Sequence, residues 1–238
     1  MVRATKPNIR IIIQARTDSN RLPAKALLPV AGTPSAILAA KRAGNRGRPV
    51  MLATSDRPTD DLLATLANQA GINVFRGSAN DVLGRFVASC QDLQGDDVVV
   101  RLTADNLLPD GMLIEELLAS FELNGNPYIN AKIAWGDSPY GLGAEVMNVC
   151  TLRRAALTAS TEYEREHVTP EIKKHIPSFR MTYFKDHRQE IADSWPQYIN
   201  DDAARTDWLW KHEYDLPTMV QTIIDKIKGE QNINTESA

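Results

Sequence analysis

The chain carries only two cysteines in 238 residues, Cys90 and Cys150. That excludes a disulfide framework and the cysteine-pair zinc patterns, and it fits a reducing cytoplasm. No apolar run reaches about 18 residues, so no membrane span is expected. The opening MVRATKPNIRIII lacks the basic start, long apolar stretch and small-residue cleavage site of a signal peptide. Neither GxxxxGKS, GxxxxGKT nor GxGxxG occurs, which disfavours P-loop and Rossmann dinucleotide binding. Aromatic residues make up 6% and do not interleave with basic ones along a strand, which argues against nucleic-acid binding. Acids are nearly absent from the first fifty positions, where ten Lys and Arg face Asp18 alone. That segment has a net charge of +9, so a chain total of −3 leaves −12 for the remainder. A basic segment on an acidic body points to a local anion site.

The composition is otherwise that of a soluble globular protein, 43% apolar and 24% charged. Ile9–Ala15, Val50–Thr54, Ile72–Phe75 and Asp97–Leu102 are short apolar runs, the mark of strands buried on both faces. Helical stripes alternate with them. Thr33-Pro34 reads as N-cap and first position of a helix through SAILAAKRA. Thr59 reads as the cap of a second, with Asp60 and Asp61 in its first turn. Ser78–Asp81 reads as a capping box before Val82, Leu83, Phe86, Val87 and Cys90, and Asp110 as a cap before Leu113–Phe121. Residues 9–121 therefore read as β-α-β-α-β-α-β-α, a parallel sheet with helices on both faces. Ligands bind beyond the C-terminal strand ends of such sheets. The second half is less regular. Strands are expected at Tyr128–Ala134, Ala144–Val149 and Phe179–Phe184, and helices at Leu152–Ala159, Glu164–His175 and Thr218–Lys228. The expectation is one domain over residues 1–230, in two parts at 9–121 and 122–230, with a flexible tail at 231–238.

Two segments carry chemistry. The loop Gln14–Lys25 (QARTDSNRLPAK) leaves the first strand with Arg16, Arg21 and Lys25. Guanidinium forks grip phosphate oxygens in pairs, Lys adds a mobile charge, and Ser19 adds a donor. Such a loop binds a polyphosphate or is a solvated basic loop. Asp105 lies just past the fourth strand in Arg101-Leu102-Thr103-Ala104-Asp105. Mg²⁺ favours one or two carboxylates plus phosphate oxygens, so Asp105 is a metal-ligand candidate; the alternative is a cap for the next segment. Cys90 falls on an apolar helix face and reads as core. Cys150 has no His–carboxylate arrangement beside it, so covalent catalysis is not expected. Trp135, Tyr140, Trp195, Trp208 and Trp210 read as packing or subunit-interface aromatics.

IIIQARTDSNRLPAKALLPVAGTP resembles the opening motif of the CMP-sugar synthetases and related cytidylyltransferases, most closely the spore-coat-polysaccharide-type subgroup. Ala15, Arg16, Ser19, Arg21, Leu22, Pro23 and Lys25 match its A-R-x-x-S-x-R-L-P-x-K pattern. VFRGSANDVLGRF, VVRLTADNLLPD and EREHVTPEIKKH resemble three further motifs in order. The resemblance implies a nucleotide-diphosphosugar transferase-like α/β/α sandwich with a small β-rich lobe, in which 9–121 would be the nucleotide-binding part and 122–230 the acceptor and dimerisation part. It also implies Mg-dependent transfer of CMP from CTP to a sugar, sugar acid or related acidic acceptor, with release of pyrophosphate, by a homodimer. Arg16, Lys25 and Asp105 would be catalytic. Gln14, Ala15, Ser19, Arg21, Thr54, Ser55, Arg76, Gly77, Arg101 and Thr103 would complete the nucleotide site. Tyr140, Glu145 and His167 would bind the acceptor. Asp105 would hold Mg²⁺ with a late carboxylate, for which Asp202 and Asp207 are favoured over Asp201.

The chain departs from the subgroup in places. Asp18 and Ala24 stand where glycines are common, Asn106-Leu107 follows Asp105 in place of Cys-Pro, and Gly143 replaces an Asp. Asp18, Ala24 and Gly143 motivate one alternative, a non-catalytic nucleotide-binding homologue; the other is a different enzyme on the same fold, a transferase using UTP, GTP or another nucleoside triphosphate, or a glycosyltransferase. His167 and Glu145 also have plain structural readings, as a helix-end histidine and a strand residue.

Overall fold

The computed structural model describes residues 6–19, 22–107, 109–124, 127–130, 143–175 and 181–183, with a few isolated positions between 206 and 225. Four parallel strands form its centre: β1 (Ile9–Gln14), β4 (Val50–Ser55), β5 (Asn73–Gly77) and β6 (Val98–Thr103). A two-stranded ribbon, β2 (Pro29–Val30) and β3 (Thr33–Pro34), lies between β1 and β4 in sequence. The second half adds β7 (Tyr128–Asn130), β8 (Glu145–Asn148) and β9 (Met181–Tyr183) to the same sheet. The order is β5-β4-β1-β6-β8-β7-β9, with β8 antiparallel to its neighbours. The described strands of the second half thus continue the central sheet, and a separate β-rich lobe is not among the described residues. The expected last helix falls largely outside them.

Helices cover both faces because the strands alternate. Ile11 and Ile13 point to one side with Leu52, Val100 and Leu102, under α1 (Ser35–Ala43), α2 (Asp61–Gln69) and α4 (Gly111–Asn124). Ile12, Ala53 and Val99 point to the other, under α3 (Val82–Ala88) and α5 (Val149–Thr158). Ile11, Ile12, Ile13 and Val99 are fully buried, each worth about 1.5–3 kcal/mol relative to exposure. The three-layer α/β/α arrangement follows from this two-sided burial.

Several local expectations are corrected. Thr33-Pro34 does not cap α1; it pairs with Pro29-Val30 across a two-residue turn at Ala31 and Gly32, both at positive φ. Pro34 has an extended ψ of 134°, so the helix starts at Ser35. Asp60 makes no capping bond for α2. It is fully buried and accepts from the backbone N–H and hydroxyl of both Thr17 and Ser55. Four donors aimed at one carboxylate outweigh the weak attraction of a helix dipole. Burial pushes the Asp60 carboxyl up, but the bonds from Ser55 and Thr17 hold it below its usual value. The helix expected over Glu164–His175 is two, α6 (Glu162–His167) and α7 (Pro170–Lys174). Pro170 has no N–H to continue a helix and stands as the first residue of α7. The break is a γ-turn: Val168 sits at φ 68° and ψ −54°, and Thr169 N–H donates to the His167 carbonyl at 2.8 Å.

The loop after β1 is closed on itself by Ala24 N–H donating to the Thr17 carbonyl at 2.7 Å. Ala24 is left-handed, at φ 56°. That conformation explains why glycine suits the position, and alanine carries a steric penalty there. Ala24→Gly is expected to raise stability by about 0.5–1 kcal/mol, read as a higher Tm or denaturation midpoint.

Candidate active site

Parallel strands place their C-terminal ends on one edge. From β1 the chain steps outward to β4 and β5, then returns to β6 on the other side of β1. A crevice opens where the order reverses, as expected for open α/β sheets. Gln14 and Thr103, the last residues of β1 and β6, are register partners at that point. A cleft of about 1250 Å³ lies above them.

Gln14, Ala15, Arg16, Ser19, Lys25, Arg101, Thr103, Asp105, Glu145 and His167 all line this cleft, as one site drawn from both halves of the chain. Thr54, Ser55, Arg76 and Gly77 do not. Thr54 and Ser55 are fully buried, the latter held by Asp60. Arg76 braces the loop after β4, donating to the carbonyls of Ser55 and Arg57 and pairing with Asp61 at 2.7 Å. Arg21, Tyr140, Asp202 and Asp207, with Asp201, lie outside the described residues. Arg85, Tyr163, Glu166, Thr169 and Lys173 also line the cleft and were not singled out as site residues from the sequence. Arg85 carried a signal: it falls on the same helix face as Val82 and Phe86, where a charge has no reason to be buried unless it serves a site.

Carboxylates hold the cleft's cations in place. Lys25 Nζ is 3.2 Å from Asp105 Oδ2. Arg16 lies between Asp18, 3.2 Å from its Nε, and Glu166, 3.1 Å from its Nη2. Asp18 in turn accepts from Arg57 at 2.7 Å. The acid that looked unwelcome beside a phosphate loop is therefore neutralised by two guanidinium groups, and it fixes the stem of Arg16. The loop itself hangs on Asp60 through Thr17.

Glu145 is the densest node. It is 4% exposed and accepts from Arg101, from Tyr128 OH at 2.7 Å, from Thr169 Oγ1 at 3.0 Å and from Lys173 Nζ at 3.4 Å. Arg101 also donates to Gln14 Oε1 at 3.0 Å. Three of these donors converge on Oε1 and Arg101 takes Oε2. Glu145 is thus a holder of Arg101 and Lys173, a role that the sequence did not announce beside its reading as an acceptor contact. Burial pushes its carboxyl up, but Arg101 and Lys173 win and bring it down to about 2. His167, the last residue of α6, stacks obliquely on Tyr163, ring centroids 4.4 Å apart.

The residues fit a magnesium ion in one respect. Asp105 is half-exposed at the strand end, and it is ionised. Burial raises its pKa, but hydrogen bonds from Thr103 and Lys25 and the Lys25 charge hold it low. Among the described residues no cluster of three acidic, His or Cys ligands exists. Mg²⁺ takes one or two carboxylates and completes its shell with phosphate oxygens and water, and Asp105 would supply one of them.

Glu145→Gln leaves the Arg101 charge without its partner and is expected to cost about 3–5 kcal/mol of stability at neutral pH. The folded carboxyl sits below its ordinary value of 4.5, so its stabilisation is full above that pH and fades as pH falls toward about 2. Urea unfolding of both proteins across that range is expected to show the gap closing with acid.

A cytidylyltransferase family model matches residues 10–231. The chain is 33% identical over 196 residues to a protein of Methanocaldococcus jannaschii, covering 82% of this chain and 75% of that one. It is 31% identical over 198 residues to the spore coat polysaccharide biosynthesis protein SpsF of Bacillus subtilis, covering 80% and 79%. A solved cytidylyltransferase of Leptospira borgpetersenii superposes with a TM-score of 0.71 at 26% identity, covering 78% of this chain and 79% of that one. A basic loop and a lone strand-end carboxylate meeting at the β1–β6 crevice, on a chain matched over nearly its whole length, make this protein a member of the cytidylyltransferase family, a CTP-dependent nucleotidyltransferase.

Proposed function

We propose that the protein transfers the cytidylyl group of CTP to a sugar or sugar-acid acceptor in surface-polysaccharide synthesis, with Mg²⁺ as cofactor. The observation that carries this reading is the convergence of Arg16, Lys25 and Asp105 with Tyr163, His167 and Lys173 on one cleft. The first group suits a phosphate chain. The second offers a ring face, a hydrogen-bonding imidazole and an ammonium, which suit a polar acceptor with an anionic group. The polysaccharide setting comes from the relationship to SpsF.

In this reading an acceptor oxygen attacks the α-phosphorus while the bond to the bridging oxygen breaks. The electron pair leaves with pyrophosphate. Arg16 and Lys25 would bind the phosphate oxygens and take up the charge that develops on the leaving group. For this, Arg16 exchanges Glu166 for phosphate and keeps Asp18 behind it. Lys25 likewise turns from Asp105, which would hold the Mg²⁺. When bound, the ion supplies charge neutralisation at the phosphate oxygens. Lys173, held by Glu145, would orient the acceptor's anionic group, so positioning supplies much of the rate. Two of the departures that motivated a non-catalytic reading do not argue for it, because Asp18 is paired and Ala24 adopts a left-handed backbone conformation that suits glycine. A homodimer belongs to the same proposal, by family likeness.

Thermal unfolding with CTP, UTP, GTP and ATP, each with and without Mg²⁺, tests the donor. A ligand at about 100 times its Kd stabilises by roughly 2.7 kcal/mol. Stabilisation by Mg-CTP is expected, and it is expected to vanish in Lys25→Ala. Pyrophosphate release from CTP in the presence of acidic sugars tests the acceptor. A shift with none of the nucleotides, or pyrophosphate release that ignores every acidic sugar, would sink the reading.

A further inference from the structure

Each Lys and Arg side chain lining the cleft has a carboxylate within 4 Å, with one exception among the described residues. Arg16 has Asp18 and Glu166, Lys25 has Asp105, and Arg101 and Lys173 share Glu145. Arg85 has none. It projects from α3 and is 3% exposed. Its Nη1 donates to the Ser78 carbonyl at 2.7 Å, while its buried Nε has no hydrogen-bond partner. Among the charges around it Arg16 acts most strongly and repels it, while Asp60, Asp56 and Asp18 attract it without forming an ion pair; burial and Arg16 prevail and lower its pKa. A desolvated guanidinium facing a like charge, with a donor left idle, is costly. Nothing in the core requires it, since Val82, Leu83 and Phe86 already fill the apolar face of α3.

We infer that Arg85 is a further phosphate-binding residue, built into the cleft wall so that the phosphate chain of the nucleotide lies between its guanidinium and that of Arg16. The inference rests on the proposed function for the identity of the nucleotide. An oxyanion placed there gives the idle Nε–H an acceptor and converts the repulsion between Arg16 and Arg85 into two attractions. The dry surroundings of Arg85 strengthen its own contact, because a desolvated cation has no water to give up. The single tie to Ser78 holds the guanidinium in the wall without neutralising it, which a carboxylate would do.

The test measures binding of tripolyphosphate, CTP, GTP and cytidine to the wild type, Arg85→Gln and Arg85→Lys by calorimetry. Tripolyphosphate affinity is expected to fall about tenfold or more in Arg85→Gln and by less in Arg85→Lys, which keeps the charge but loses the fork. Cytidine binding is expected to be unchanged. An equal loss for cytidine and tripolyphosphate, or no loss for either, would make Arg85 a structural tie for the Ser78 loop and overturn the inference. The tripolyphosphate arm judges Arg85, while discrimination of CTP from GTP judges the cytidylyl reading, so each can fail alone. If Arg85→Gln does not fold, the wild-type Arg85 Nε–Hε resonance, assigned by its loss in Arg85→Lys, decides the matter. It is expected to shift on saturation with tripolyphosphate; an unmoved resonance overturns the inference.

Discussion

Like charges crowd the end of this sheet, and the way their repulsion is managed shapes the rest of the site. Arg16, Lys25, Arg85, Arg101 and Lys173 all face one cleft. At an effective dielectric of about 20, two unit charges 4 Å apart repel by about 4 kcal/mol. Uncompensated, five cations would force the walls apart. Carboxylates recruited from distant parts of the chain prevent this: Asp18 from the first loop, Asp105 from the β6 end, Glu145 from β8 and Glu166 from α6. The two halves of the chain meet through these pairs, with Arg16–Glu166 joining positions 150 apart.

The pairs differ in permanence, and the difference suits the chemistry. Arg101–Glu145 is buried and braced by Tyr128 and Thr169, so it holds β6 to β8 and fixes the cleft floor. Arg16–Glu166 and Lys25–Asp105 are partly exposed, and pairs of that kind are worth only about 0–1 kcal/mol. A phosphate chain displaces such weak partners at little cost while leaving the buried frame intact. The strained γ-turn at Val168 belongs to the frame. It lets His167 and Thr169 face the cleft from either side of a buried valine. Backbone strain of this kind costs about 1–3 kcal/mol and persists where surrounding structure enforces it.

The parallel core was readable because its strands are runs such as IRIIIQ and VVVRLT, and a strand buried on both faces has few other solutions. The basic loop was readable because Arg16, Ser19 and Lys25 sit within ten residues at a strand end. Asp60 was misread as a first-turn helix acid because local pattern favours that role. Thr17, 43 residues away, supplies two of its four hydrogen bonds. Glu145 was read as an acceptor contact because nothing local announces Arg101, Tyr128, Thr169 and Lys173 as donors to one carboxylate. The first-loop acid Asp18 raised doubt about the phosphate site for the same reason, since its second partner, Arg57, lies 39 residues on.

The sequence by itself determined the sheet, its two helical layers and the strand-end loops that carry charge, because periodicity and caps act within a few residues of chain. Only the tertiary structure decided which cations are neutralised for good, which are lent to a weak partner and which, like Arg85, are buried without one. That decision depends on distances between segments up to 150 residues apart, and an electrostatic interaction is set by separation and burial, neither of which is written in the local order of residues.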